Sequence, residues 1–170
     1  MITLDRLREV CAYDPETGFF TGIINRGKRY KVGMPFGRLE RKGYLQVSID
    51  GTTYQLQRLA WLYFYGSLPD DQVDHINCDP SDNRISNLRP ASVAQNNRNR
   101  PIQKNNTSGY KGVGFCKKHE RWFVAIFSNG KTHWDGFFDT PESAFYASIK
   151  LRDSLHGDFA RHDHIQQVQP

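Results

Sequence analysis

Cysteine is scarce and scattered: Cys11, Cys78 and Cys116 are the only three, and none belongs to a Cys-x-x-Cys pair. That spacing excludes the common structural zinc frameworks and a disulfide scaffold, so no zinc is expected and a reducing compartment is. No apolar run approaches the length of a membrane span, and Met1–Arg6 lacks the basic-then-apolar pattern of an export leader. The expectation is a soluble, cytoplasmic protein without a membrane partner. Acidic residues are nearly missing from one stretch. Between Asn97 and Trp134 eight basic residues stand against Glu120 alone, which leaves the remaining chain at −2 within a net charge of +5. A cationic segment of that kind suits a polyanion.

What is present is ample for a packed fold. Hydrophobic residues make up 38% of the 170 and aromatics 13%, which argues against disorder. The pattern predicts a short amphipathic helix over 3–11 and a strand over 19–24, followed by a basic loop carrying Arg26, Lys28, Arg29 and Lys31. A hairpin follows over 44–57, turned by Asp50-Gly51, and then a helix over 58–65 stopped by Gly66.

The densest polar chemistry lies between Leu59 and Asn99. Val73-Asp74-His75-Ile76-Asn77 reads as a strand, Cys78 to Asn83 as a turn, and Arg84 to Leu88 as a returning strand. Ser92 with Gln95 is a capping box that starts a helix near Val93 and puts Asn96 on its first turn. Such a strand, loop, strand and helix would bring an acid, an imidazole and an amide to one point, where metal-assisted hydrolysis needs them.

The string Asp-His-Ile-Asn, Asp-Asn-Arg-Ile-Ser-Asn-Leu-Arg, Gln-Asn resembles the HNH (ββα-metal) nucleases, in particular the small phage and intron-encoded homing endonucleases. The resemblance covers about 44–99. It implies that Asp74 and Asn96 bind one Mg²⁺ or Mn²⁺, that His75 is the general base, and that Asn87 ties the loop between the strands. Relatives often carry His where this chain has Gln57 and Gly where it has Cys78, a position that can require positive φ.

From 97 to 108 the chain is polar, without apolar periodicity, and reads as a basic linker able to follow a duplex. Beyond it, strands are predicted over 110–116, 121–128 and 131–137. A helix follows, capped by Thr140, opened by Pro141 and ended at Gly157, with Ala144, Ser148, Leu151 and Leu155 toward the sheet. On the middle strand Trp122, Val124 and Ile126 alternate with Arg121, Phe123, Ala125 and Phe127, leaving one aromatic and basic face uncovered. The tail histidines His162 and His164 read as frayed. Ser108-Gly109-Tyr110-Lys111-Gly112-Val113, Asn129-Gly130-Lys131 and Gly136-Phe137-Phe138-Asp139-Thr140 resemble the Apetala-type DNA-binding domain of plant ethylene-response factors. That domain lays its sheet in the major groove. The resemblance implies a DNA face of Lys111, Arg121, Phe123, Phe127, Thr132 and Trp134, to which Arg98, Arg100, Lys104, Lys117, Lys118 and Lys131 add positive charge.

The expected fold class is α+β: a nuclease domain with accessory hairpin and helix over 1–100, a linker over 101–108, a three-stranded antiparallel sheet packed on one helix over 109–160, and a tail over 161–170. The expected function is a metal-dependent DNA endonuclease acting on double-stranded DNA as a monomer or DNA-assisted dimer, with no obligate protein partner. The alternative is a DNA-binding regulator that keeps the nuclease fold without cutting.

Overall fold

Thr3 opens the first helix because its Oγ1 accepts the Arg6 N–H at 3.2 Å, and α1 (Leu4–Val10) buries Leu7 and Val10. The computed structural model describes residues 2–25, 27 and 31–163. Arg26, Lys28 and Arg29 of the basic loop, and His164, lie outside them. The chain divides into two units, Met1–Val93 and Ala94–Pro170, and the fold is mixed α+β.

In the first unit β1 (Cys11–Tyr13) pairs antiparallel with β2 (Phe20–Gly22). A second sheet runs in the order β3 (Arg38–Leu39), β4 (Leu45–Ile49), β5 (Thr52–Gln55). Asp50 and Gly51 both take positive φ (50° and 79°) at its tight turn, as a type I′ turn demands. Helix α2 (Leu56–Tyr65) follows without a break and ends on Gly66 at φ 81°, where a side chain would be strained. One apolar core joins Leu7 and Val10 of α1, Val47 and Ile49 of β4, Leu59 and Leu62 of α2, and Val73 and Leu88 of a third sheet. That last sheet is a two-stranded ribbon, β6 (Gln72–His75) with β7 (Leu88–Ala91), and α3 (Val93–Arg98) comes directly after it.

The returning strand over 84–88 is a correction. Residues Ile85–Asn87 form a 3₁₀ turn, and strand pairing begins only at Leu88, opposite His75. The Ile85 N–H donates to the Pro15 carbonyl at 3.1 Å and the Asn87 side chain turns into the loop, so neither residue is available to a ladder.

The second unit is an antiparallel sheet in the order β8 (Val113–Cys116), β9 (Arg121–Ser128), β10 (Lys131–Phe138), backed by α4 (Pro141–His156). Asn129 and Gly130, with φ 51° and 76°, make the β9–β10 turn. The Thr140 hydroxyl accepts the Ser143 N–H and Pro141 stands at the first helical position. Val113, Val124, Ile126 and Ala144 form the core between sheet and helix. Arg152, unforeseen from the sequence, is 1% exposed in that same layer. His162 is not frayed: its ring lies 3.1 Å from Arg152 Nη1 and 2.8 Å from Asp153 Oδ1.

On the outer face of the sheet the Phe123 ring stacks on Trp134 (centroids 4.9 Å apart, planes 15°) and reaches across Gly114. A Cβ at Gly114 would stand 2.5 Å from the Phe123 ring. Gly114→Ala is therefore expected to displace that ring and break the stack. It should cost about 0.5–1.5 kcal/mol in chemical denaturation and change the near-ultraviolet circular dichroism of Trp134.

Candidate functional site

The β6–β7 register decides what surrounds the polar strand. Asp74 stands opposite Arg89, and His75 opposite Leu88. Directly opposed residues of an antiparallel pair share a face, so Arg89 reaches the Asp74 carboxylate: its Nε and Nη2 both lie 2.9 Å from Oδ2. Both side chains are largely buried (15% and 6% exposed), which makes this an ion pair in a low-dielectric setting. His75, the next residue along the strand, leaves on the other side.

His75 is 5% exposed, yet its surroundings are not wholly apolar. Its Nε2 lies 3.1 Å from Oδ1 of Asn83, and its ring centroid is 6.0 Å from that of Tyr44. An amide oxygen only accepts, so Nε2 carries the proton and the lone pair is on Nδ1. Burial pushes the His75 pKa below its ordinary 6.5; the Asn83 hydrogen bond and the charges of Asp74, Asp79 and Asp82 pull the other way without overcoming it.

Asn83 is itself fixed. It is 1% exposed, and its backbone carbonyl accepts the Tyr13 hydroxyl at 2.7 Å. The turn between β1 and β2 lies directly against it: a Cβ on Gly18 would come within 2.6 Å of the Asn83 backbone and 2.5 Å of the Arg84 nitrogen, and Gly18 takes φ +76°. Only glycine permits that approach.

The loop between the strands is cross-tied by amides. Asn87 Oδ1 accepts the Asn77 N–H at 3.0 Å, and Asn87 Nδ2 donates to Asn77 Oδ1 at 3.0 Å and to the Asp82 carbonyl at 2.8 Å. Asp82 receives Arg84 at 2.8 and 2.6 Å, and that guanidinium holds its carboxyl down at about 2. Cys78 sits in this loop at φ 61°, the left-handed conformation that glycine adopts more readily.

A hard divalent cation prefers oxygen donors and often keeps only one or two carboxylates, completing its shell with water and phosphate oxygens. Asp74 supplies such a carboxylate, already oriented by Arg89, so the donor chemistry fits. Among the described residues no group of three or more His, Cys, Asp or Glu assembles that could hold a metal alone. Asn96 lies on α3, inside the second unit.

The residues read as a DNA surface are placed unevenly. Lys117, Lys118, Lys131, Thr132 and Trp134 are exposed on the second unit, as are Arg100 and Lys104; Phe123 is half-buried in its stack. Arg98 donates to Asn129 Oδ1 at 2.6 Å, Lys111 Nζ donates to the carbonyls of Arg98 and Arg100, and Arg121 is bridged to Asp139 at 2.8 Å. The sequence assigns no site role to Asn83, Arg89 or Tyr13. A strand register beginning at Leu88 would have set Arg89 against Asp74, but nothing local announces Tyr13, 70 positions from its partner.

The family model described as HNH endonuclease matches residues 54–98. Protein 3.8 of Escherichia phage T7 is 34% identical over 103 residues, covering 60% of this chain and 84% of that protein. An uncharacterized HNH endonuclease of Acanthamoeba polyphaga mimivirus is 34% identical over 124 residues, covering 72% of this chain and 63% of the relative, slightly under two thirds of its length. The solved structure of the HNH homing endonuclease I-HmuI, studied in DNA binding and cleavage, superposes over 95% of this chain and 94% of its own at a TM-score of 0.42 and 16% identity. No helix among the described residues is long and apolar enough to cross a membrane.

Proposed function

From the HNH endonuclease match over residues 54–98 we propose that the chain is a metal-dependent DNA endonuclease of the homing type, in which His75 is the general base. The observation that carries the reading is the Asn83–His75 hydrogen bond, which sets one tautomer and turns Nδ1 into the proton acceptor. Attack of water on the scissile phosphorus forms the new P–O bond while Nδ1 takes the water proton. The P–O bond to the 3′ oxygen breaks and that oxygen takes a proton from solvent water, leaving 5′-phosphate and 3′-hydroxyl ends.

Asp74 and Asn96 are the residues that would hold one Mg²⁺ or Mn²⁺, with the Asp74 carboxylate steadied by Arg89. When bound, the cation neutralises charge on the phosphate and on the departing 3′ oxygen. Asn87 keeps the loop closed so that Asn83 stays against the ring. The second unit, read as an Apetala-type module, holds duplex DNA with Phe123, Thr132 and Trp134 on its sheet, while Lys117, Lys118 and Lys131 meet phosphates. Such contacts position the duplex more than they read bases. The protein works as a monomer or a DNA-assisted dimer in the cytoplasm, that of the host cell if it is phage-encoded.

A supercoiled-plasmid nicking assay with Mg²⁺ tests this. Nicks that vanish with EDTA are expected, whereas duplex binding with no nicks under any divalent metal selects the non-cutting regulator instead. The pH profile follows from the lowered His75 pKa. The base must be neutral, so the acid limb of nicking falls below pH 6.5 rather than at it. The same shift couples to folding. A histidine whose folded pKa is depressed leaves the unfolded chain binding more protons, so its stability contribution is full above 6.5 and is lost as pH drops through the folded value. Circular dichroism at each pH separates the two effects.

A further inference from the structure

The second unit contains a cavity of about 690 Å³ that the hydrolytic reading does not use. Among the described residues four cations line it (Arg98, Arg100, Lys111 and Arg152) together with His156, and no acidic residue does. Asp163, which accepts the Ile102 N–H at 3.0 Å nearby, is itself bridged by Arg161 at 2.6 Å. The charge concentration reaches the His156 ring, whose pKa is lowered by burial first and then by Arg98, Arg152 and Lys111, against the pull of the Phe127 carbonyl.

Two further features point to a ligand larger than a bare anion. Ser128 is 2% exposed, lines the cavity, and its Oγ has no hydrogen-bond partner. Buried polar atoms normally have partners, and those without one call for an occupant. Pairing of β8 with β9 stops at Val124, and Ala125 N–H then meets the Gly112 carbonyl, so the end of β9 has β10 on one side only. That uncovered edge lines the cavity beside the apolar surfaces of Pro101, Ile102 and Phe127. Cations for a phosphate, an apolar wall for a planar ring, and a strand edge and hydroxyl for a base edge occur together. The volume falls in the ordinary range for small-ligand sites, roughly 300–1,000 Å³.

We infer that this cavity binds one nucleotide, its phosphate toward the arginines and its base against Ile102, Phe127 and Ser128. The nucleotide is either free or an unpaired residue of a nucleic-acid strand. The inference does not rest on cleavage, and a chain that never nicks DNA could still bind this ligand.

Calorimetric titration of the full chain with thymidine monophosphate, thymidine, inorganic phosphate and a 5′-phosphorylated single-stranded octamer tests it. The monophosphate is expected to bind at least about tenfold more tightly than thymidine or phosphate. Ser128→Val, which removes a hydroxyl without a protein partner, should weaken that binding about tenfold with an unchanged melting temperature. Arg100→Ala, at an exposed position, should weaken it as well and serves if the valine variant misfolds. Tighter binding of the octamer, equally sensitive to Ser128→Val, identifies a strand as the source; monophosphate binding that the octamer cannot displace identifies a free nucleotide. Phosphate binding as tightly as the monophosphate, no binding at all, or affinities unmoved in both variants overturns the inference.

Discussion

His75→Ala lowers plasmid nicking by about 10²- to 10⁴-fold while duplex affinity is retained, because the change removes proton transfer and leaves the DNA-holding surface intact. The size of the loss rests on what the ring does in place. It is buried, neutral at physiological pH, and presents one defined nitrogen because Asn83 Oδ1 fixes the other. Asn83→Ala should fall between parent and His75→Ala: the base survives, but tautomer and orientation are no longer imposed. That companion variant should also move the acid limb of the pH profile to lower pH, since the Asn83 hydrogen bond favours the protonated ring. A His75→Ala protein that nicks like the parent would remove His75 from the reaction. Binding of a labelled duplex, measured alongside, guards against mistaking lost affinity for lost chemistry.

The second large effect concerns folding. Arg89→Ala is expected to destabilise the first unit by about 3–5 kcal/mol in urea denaturation, because the buried Asp74 carboxylate loses its guanidinium and keeps its charge. The measurement has an internal control. Replacing both partners, Asp74→Leu with Arg89→Met, should recover most of that stability, since an apolar pair of similar volume fills the space without a desolvated charge. Divalent cation gives a second readout: if Asp74 ligates it, Mg²⁺ should restore part of the stability lost in Arg89→Ala and none of that changed in the double variant. Equal stability of Arg89→Ala and parent, with or without Mg²⁺, would show that the ion pair contributes nothing to holding the strand.

What could be read in advance follows from how local the cause is. Asp50-Gly51 and Asn129-Gly130 announce their turns because positive φ at two successive positions favours few residues, and both turns form there. Thr3, Thr140 and Pro141 announce helix starts for an equally local reason. The alternation along β9 correctly separated Val124 and Ile126 from Phe123 and Phe127. The 3₁₀ turn at Ile85–Asn87 was illegible, because its apolar content suits a strand and the competing acceptor, Pro15, is far away in sequence. For the same reason Asp74 and His75 stood out while their partners did not. Asn83 looked like turn chemistry, and Arg89 lay beyond the strand as drawn. Arg152 carries no reading in the sequence because its partners are distant: its guanidinium donates to the Lys111 carbonyl and packs beside His162.

The contact of the β1–β2 turn with the Asn83–Arg84 backbone bears on what counts as a portable cassette. A fragment cut at the signature boundaries, 54–98, would keep Asp74, His75, Asn83, Asn87 and Arg89. It would discard Tyr13, Pro15 and Gly18, the scaffolding on which the imidazole's partner rests. Transplanting this chemistry onto another binding module therefore requires carrying the amino-terminal ribbon along with it.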